Sequence, residues 1–131
     1  MPWLLDTNAV IAVVNAPTGI VAKKMRRKKP EAVAISAIVI HELFYGAYKS
    51  ARLEANIAVV ESLGFQVLPF DMDDARAAGA IRAILSRAGQ PIGAYDVLIA
   101  GQALNRGYTL VTHNVREFSR IEKLAIEDWE S

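Results

Sequence analysis

Three acidic residues, Asp6, Glu42 and Asp96, each stand alone in an apolar segment of this chain. Asp6 follows the run "WLL", and the other two lie within "AIVIHELF" and "AYDVLIA". Close carboxylates repel one another, so a cluster of them raises its own pKa values or recruits a cation. Carboxylate and water oxygens are the ligands that Mg²⁺ and Mn²⁺ prefer. If the three acids converge, they predict a divalent metal site able to activate water for attack on a phosphodiester.

Each acid also has a structural explanation that the sequence leaves open. Asp6 could cap the helix that follows it, since an N-cap aspartate accepts hydrogen bonds from the first turn. Asp96 could be an N-cap or a first-turn acid favoured by the helix dipole, and Glu42 could be a solvated position on an amphipathic helix. Convergence of all three at one place is what favours the metal site.

The elements that must position these acids alternate between strand and helix. Strands are predicted at 3–5, 32–36, 65–70, 109–112 and 124–129, and helices from 7 and at 18–28, 37–50, 52–64, 72–89 and 94–107. This alternation predicts an α/β fold with helices on both faces of a parallel sheet. Ligands bind beyond the carboxyl ends of such strands, and the three acids are expected at that edge.

A glycine inside the third predicted helix points to a packing constraint. Gly46 lies four residues after Glu42, and glycine in a helix costs about 1 kcal/mol relative to alanine. The sequence therefore predicts a close approach of backbone or side chains at Gly46.

Composition limits the class of protein. A chain of 131 residues with 53% hydrophobic and 22% charged residues is expected to form one globular domain spanning 1–131. The absence of cysteine excludes disulfides and thiolate metal sites and is compatible with the cytoplasm. Neither a membrane-length apolar run nor a secretion signal is recognisable in the sequence.

The segment "KKMRRKK" concentrates positive charge. It carries six basic residues, Lys23, Lys24, Arg26, Arg27, Lys28 and Lys29. Such a run is typical of a nucleic-acid contact or of a solvated helix face. Binding of a polyanionic substrate would be a function for this basic run.

Four motifs in order, "LLDTNAVIA", "SAIVIHELFYGA", "PIGAYDVLIAGQAL" and "LVTHNVREFSRI", resemble those of the PIN-domain nucleases, and more closely the VapC ribonuclease toxins of VapBC toxin–antitoxin pairs. The resemblance implies a three-layer α/β/α sandwich with a four- to five-stranded parallel sheet. It implies Mg²⁺- or Mn²⁺-dependent RNA cleavage, with transfer RNA in the anticodon stem-loop as the leading substrate. It also implies a homodimer and a VapB antitoxin whose tail blocks the pocket, and it makes Asp6, Glu42 and Asp96 the metal-binding catalytic acids.

One position departs from the family pattern. Many PIN domains have a fourth acid just after the strand "LVT", where this chain has Asn114. Asn114 could occupy the fourth position through its carbonyl or by a hydrogen bond to a bound water, but it brings no negative charge. Glu117 could supply that carboxylate if 115–118 form a helical turn, and a solvated surface glutamate is the alternative. We therefore expect one tightly held ion, with a second arriving with the phosphate.

Several neighbours of the acids are assigned supporting roles. Thr7 and Asn8 could orient Asp6 or its waters or cap the helix that follows, and Thr112 is expected to supply a supporting hydroxyl. Arg116 and Arg120 could contact RNA or lie in solvent, and His41 and His113 lack the paired spacing of a zinc site and are treated as non-ligands.

Two other classes of protein compete with a nuclease. A receiver domain or a haloacid-dehalogenase phosphatase also places an acid after the first strand, but the phosphatase needs a second aspartate where this chain has Asn8. A receiver needs a lysine at the end of a late strand, where this chain has Thr112 and His113. A non-catalytic RNA-binding module would use the basic run alone, although its aromatic content of 8% is low for a stacking platform.

Overall fold

The core of the molecule is a five-stranded parallel sheet, seen in a computed structural model that describes residues 2–130. Its strands are β1 (Trp3–Leu5), β2 (Val33–Ser36), β3 (Gln66–Leu68), β4 (Thr109–Val111) and β5 (Ile126–Glu127), in the spatial order β3-β2-β1-β4-β5. Leu5 is in register with Ile35 on one side and Val111 on the other. The carboxyl ends of the three central strands are therefore level with one another. The predicted α/β fold with a parallel sheet is confirmed, although β3 and β5 are shorter than predicted.

Seven helices occur among residues 2–130. They are α1 (Thr7–Asn15), α2 (Ile20–Arg26), α3 (Ala37–Lys49), α4 (Leu53–Glu61), α5 (Met72–Arg87), α6 (Ala94–Arg106) and α7 (Val115–Phe118), with a 3₁₀ turn at Pro30–Ala32. The first six match the predicted helices, and α2 is shorter than expected at both ends. None of the helices in this part of the chain has the length and apolar character that a membrane crossing requires.

The central strands explain why the sheet is the core. All four residues of β2 and all three of β4 are buried, and Leu4 and Leu5 are fully inaccessible to solvent. Strands buried on both faces read as continuous apolar runs rather than alternating ones. "VAIS" and "TLV" have this character, so helices must cover both faces of the sheet.

Helices α5 and α6 pack against each other at a glycine. A Cβ added to Gly101 would lie 2.5 Å from Ala78 Cα and 2.6 Å from Ala78 N, so only glycine allows this approach of the two helices. The prediction of close packing at Gly46 is wrong, because a Cβ there would meet nothing within 4 Å. Gly46 instead lines an open groove between α1, α3 and α4.

A buried carboxylate, Asp74, ties α5 to the carboxyl half of α6. Its side chain is fully buried and accepts hydrogen bonds from Gln102 (3.0 Å), Asn105 (2.9 Å) and Arg106 (2.9 Å). Burial alone would raise the pKa of Asp74, but hydrogen bonds from Arg106, the N–H of Asp71 and Asn105, together with the charge of Arg106, hold that pKa well below its usual range. This network fixes the helix whose first turn carries Asp96.

Candidate active site

Asp6 occupies the junction between β1 and α1. Its Oδ1 accepts a hydrogen bond of 2.8 Å from the N–H of Ala9, so Asp6 is the N-cap of α1. The carboxylate is 5% exposed, and burial raises its pKa, partly offset by hydrogen bonds from the Thr112 side chain and Ala9. The negative charges of Glu130 and Glu42 raise the pKa further. The sequence offered a helix cap and a place among other acids as alternatives for Asp6. In the structure Asp6 caps α1 and also lies near other acids.

Glu42 accepts a hydrogen bond from Thr7, which the sequence placed beside Asp6. The hydroxyl of Thr7, the first residue of α1, donates a hydrogen bond of 2.9 Å to Glu42 Oε1 in α3. This bond joins the helices that follow β1 and β2, at the carboxyl edge of the sheet. Thr7 thus supports Glu42, while Asn8 is exposed.

Asp96 is the third residue of α6, and its carboxylate lies close to the glycine that precedes the helix. The helix begins after Gly93, where an added Cβ would lie 3.1 Å from Asp96 Oδ2. Burial, followed by the charges of Asp6, Glu42 and Glu117, raises the pKa of Asp96 to about 6. The three acids that the sequence singled out are therefore near enough to act on one another.

Asn114 and Glu117, the two candidates for the position of the family's fourth acid, are hydrogen-bonded to each other. Asn114 Nδ2 donates to Glu117 Oε2 at 3.1 Å, and the Asn114 N–H donates to Thr112 Oγ1 at 3.0 Å. Residues 115–118 do form a helical turn, α7, and Glu117 lies close enough to raise the pKa of Asp96. A carboxylate, that of Glu117, therefore lies near Asp96 and accepts a hydrogen bond from the amide of Asn114.

The electrostatics of this edge suit a cation. The charges that raise the pKa of Asp96 are those of Asp6, Glu42 and Glu117, and those that raise the pKa of Asp6 are Glu130 and Glu42. Acidic groups gathered in this way recruit a positive charge or take up protons. The donor set is oxygen only, which fits a hard divalent ion.

The basic run divides into two groups. Lys28 is half-buried, with its Nζ 4.5 Å from the centroid of the Trp3 ring and 5.7 Å from that of Trp129. The charges of Lys28 and Lys24 help to lower the pKa of Glu127. These two lysines thus face the β5 side of the protein.

The remaining basic residues, Lys23, Arg26, Arg27 and Lys29, are exposed. Arg26 donates a hydrogen bond of 2.7 Å to the carbonyl of Pro17, which leaves Lys23, Arg27 and Lys29 as the outward charges. On α7 Arg116 is exposed, whereas Arg120 just beyond it donates to the carbonyl of Pro91 at 3.1 Å. Arg120 therefore braces the loop that leads to Asp96.

Sequence reasoning missed the closing segment of the chain. Glu127 accepts hydrogen bonds from the indoles of Trp3 (3.2 Å) and Trp129 (3.0 Å), and hydrogen bonding to Trp129 is the largest influence that lowers the pKa of Glu127. This anchor holds the residues after β5 at the carboxyl edge. The available signal was the acidic string "IEDWE", which overlaps the last predicted strand.

His113 lies beside two of these terminal acids. Its Nδ1 is 3.1 Å from Asp128 Oδ2 and 3.6 Å from Glu130 Oε2, and one ligand atom from each of the three residues falls within 4.8 Å of the others. His113, Asp128 and Glu130 lie at a partly exposed edge of the site, on the side of Asp6.

Comparison with known proteins assigns this geometry to a family. A model of the PIN domain matches residues 3–124. The chain is 43% identical over 132 residues to the tRNA(fMet)-specific endonuclease VapC of Salmonella typhimurium and 39% identical over 131 residues to that of Shigella flexneri, with 98% of both chains covered in each case. Its fold is similar to a chain in the crystal structure of DNA-bound VapBC from Salmonella typhimurium, with a TM-score of 0.92, 41% identity and 98% of each chain covered.

Proposed function

Since this chain belongs to the PIN-domain family and, within it, to the VapC ribonucleases, we propose that it cleaves RNA as an endoribonuclease at the carboxyl edge of its sheet. The observation that carries the proposal is the placement of Asp6, Glu42 and Glu117 around the half-buried Asp96, whose pKa is raised to about 6 by burial first and then by these three charges. Groups with perturbed pKa values of this kind cluster at functional sites. Residues 1–131 would form a single PIN domain.

Asp6, Glu42 and Asp96 would hold one Mg²⁺ or Mn²⁺ ion, with Glu117 as the fourth carboxylate. Such an ion, when bound, supplies a water of lowered pKa and neutralises charge on the phosphate. The chain contributes orientation: Thr7 fixes Glu42, Thr112 and the N–H of Ala9 fix Asp6, and Asn114 fixes Glu117. Ligands held by such outer hydrogen bonds keep their geometry without reorganisation.

Transfer RNA is the proposed substrate, with cleavage in the anticodon stem-loop. Two relatives covered over 98% of their length carry the name of tRNA(fMet)-specific endonucleases. The exposed charges Lys23, Arg27 and Lys29 give α2 a surface that attracts phosphates. Lys24, Arg26 and Lys28 have other contacts, and their contribution to RNA binding is correspondingly smaller.

We further propose a VapB-type antitoxin as partner, with cytoplasmic location and a homodimeric toxin. Similar folds come from VapBC complexes. A groove of about 250 Å³ between α1, α3 and α4 could seat an apolar antitoxin segment. It is lined by Ile11, Val14, Leu43, Val59, Val60 and Leu63, and it reaches Glu42. A segment in this groove would arrive at the acidic site and block it.

Cleavage of purified transfer RNA by the antitoxin-free chain tests the function. We expect discrete fragments with Mg²⁺ or Mn²⁺ and none with excess EDTA. Asp6→Asn, Glu42→Gln and Asp96→Asn should each lower the rate roughly 100-fold or more, since the metal contributes several kcal/mol to the transition state. Asp73→Asn changes an exposed carboxylate of α5 and should leave the rate unchanged.

The outcomes separate the competing classes. If all three variants cleave as well as the wild-type chain, the proposed site is wrong. If folded protein still binds RNA but leaves RNA of every class intact under all these conditions, the non-catalytic binding module is favoured.

A further inference from the structure

Two aromatic rings stand together beside the acidic residues. His41 immediately precedes Glu42, and Tyr95 immediately precedes Asp96. The centroids of their rings are 5.4 Å apart, with an angle of 48° between the planes. We call this pair the aromatic ledge.

Helical geometry explains why the ledge flanks the acids. Successive residues of an α-helix are rotated by about 100° around its axis. When Glu42 of α3 and Asp96 of α6 turn toward each other, the residue before each turns to one side. The two rings meet across α3 and α6, beside the acids that follow them in the sequence.

The ledge is open to solvent. Tyr95 is 48% exposed, and His41 is also exposed. Exposed aromatic rings are the surfaces on which unpaired bases of RNA stack, and base–aromatic stacking does not require a particular base. The basic residues attract the backbone, but neither they nor the acids provide a surface for a base.

We propose that the aromatic ledge stacks an unpaired nucleobase that flanks the scissile phosphate. This proposal rests on the proposed RNA cleavage and deepens it: the substrate must present an unstacked base next to the cut, as a loop does and a regular duplex does not. Tyr95 and His41 would then be substrate-positioning residues that select single-stranded over paired RNA.

Binding of RNA in EDTA separates stacking from chemistry. The probe is a synthetic anticodon stem-loop with a fluorescent label, measured by anisotropy. Tyr95→Ala should weaken binding about tenfold, in the range of one stacked base, and His41→Ala somewhat less. Tyr95→Phe keeps the ring and should bind within about twofold of wild type.

Tyr48→Ala is the matched control. Tyr48 is 64% exposed and lies on α3 seven residues beyond His41, two turns farther from the carboxyl edge. Its loss should leave RNA binding and cleavage unchanged. With metal present, Tyr95→Ala should raise KM by the same factor as Kd.

An abasic nucleotide on either side of the mapped cut identifies the stacked base. At one position it should weaken binding to the wild-type chain about tenfold, but it should weaken binding to Tyr95→Ala little further, because the ring and the base are then both absent. Additive losses would overturn the proposal.

Two other results would also overturn it. Tyr95→Ala could bind and cleave as wild type, or light scattering could show that it changes the oligomeric state, which would make the ledge a contact with a second copy. Failure of the proposed function is distinct: the wild-type chain would then cleave no RNA, whatever Tyr95→Ala does to binding in EDTA.

Discussion

At the scale of single residues, the raised pKa of Asp96 has a measurable cost. A folded-state pKa of about 6 against an ordinary value of 3.8 means that the folded chain binds more protons between these values. The stability of the metal-free protein therefore falls as the pH rises from 3.8 through about 6. At neutral pH this penalty is fully present, and solvent screening of a partly exposed group limits it to about 1 kcal/mol.

Asp96→Asn removes that penalty. In EDTA near neutral pH we expect the Tm of Asp96→Asn to exceed that of wild type by about 3 °C, with the difference narrowing as the pH falls below about 6. Mg²⁺ should then raise the Tm of wild type more than that of the variant. Thermal denaturation at several pH values measures this, with Asp73→Asn as control; a variant less stable than wild type at neutral pH would contradict it.

Residue types and spacing indicated the acids of the candidate site better than they indicated the residues that contact those acids. Asp6, Glu42 and Asp96 could be chosen because each is a lone acid in an apolar segment, and the structure brings them near one another. Sequence could not assign Thr7 to Glu42, because that bond joins residues 35 positions apart. Gly93 escaped notice since its role is a close approach to Asp96.

At the scale of elements, the contact between α5 and α6 depends on Gly101. Alanine there would place its Cβ 2.5 Å from Ala78 Cα, and backbone atoms cannot rotate away. We expect Gly101→Ala to lower the free energy of unfolding by about 1–3 kcal/mol, as overpacking does. It should also reduce cleavage, because α6 carries Asp96.

Gly79→Ala is the control on the same pair of helices. Gly79 follows Ala78 in α5, is exposed, and has nothing within 4 Å of an added Cβ. Alanine there should stabilise the protein by about 0.5–1 kcal/mol through helix propensity. Urea unfolding of both variants measures the difference; equal stability would show that α5 and α6 can separate without cost.

Elements with a strong local pattern were predictable, and those defined by distant contacts were not. The apolar runs of β1, β2 and β4 and the long helices α3, α5 and α6 follow from local sequence. Four-residue α7 was foreseen only as a condition for Glu117. The Asp74 network joins residues 28 to 32 positions apart, and the bond from Trp3 to Glu127 spans 124. Local periodicity carries no information about such pairs.

At the scale of the whole molecule, the chain must bring a polyanion to an acidic cleft with a net charge of only +1. Its outward charges on and after α2, Lys23, Arg27 and Lys29, are the local source of attraction. Replacing all three with glutamine should weaken binding of the stem-loop in EDTA about tenfold at low salt. Each lost phosphate contact should also reduce the salt dependence of log K by about 0.7.

Because these residues act on approach and docking, kcat at saturating RNA should stay within about twofold of wild type. The matched control replaces the three exposed arginines of α5, Arg76, Arg82 and Arg87, with glutamine and removes the same charge from another face. Salt titrations of both triple variants decide the matter. If both triple variants weaken binding equally, the overall charge attracts the RNA and the surface of α2 does not bind it specifically. If only the α2 variant loses affinity, the RNA backbone runs along that helix.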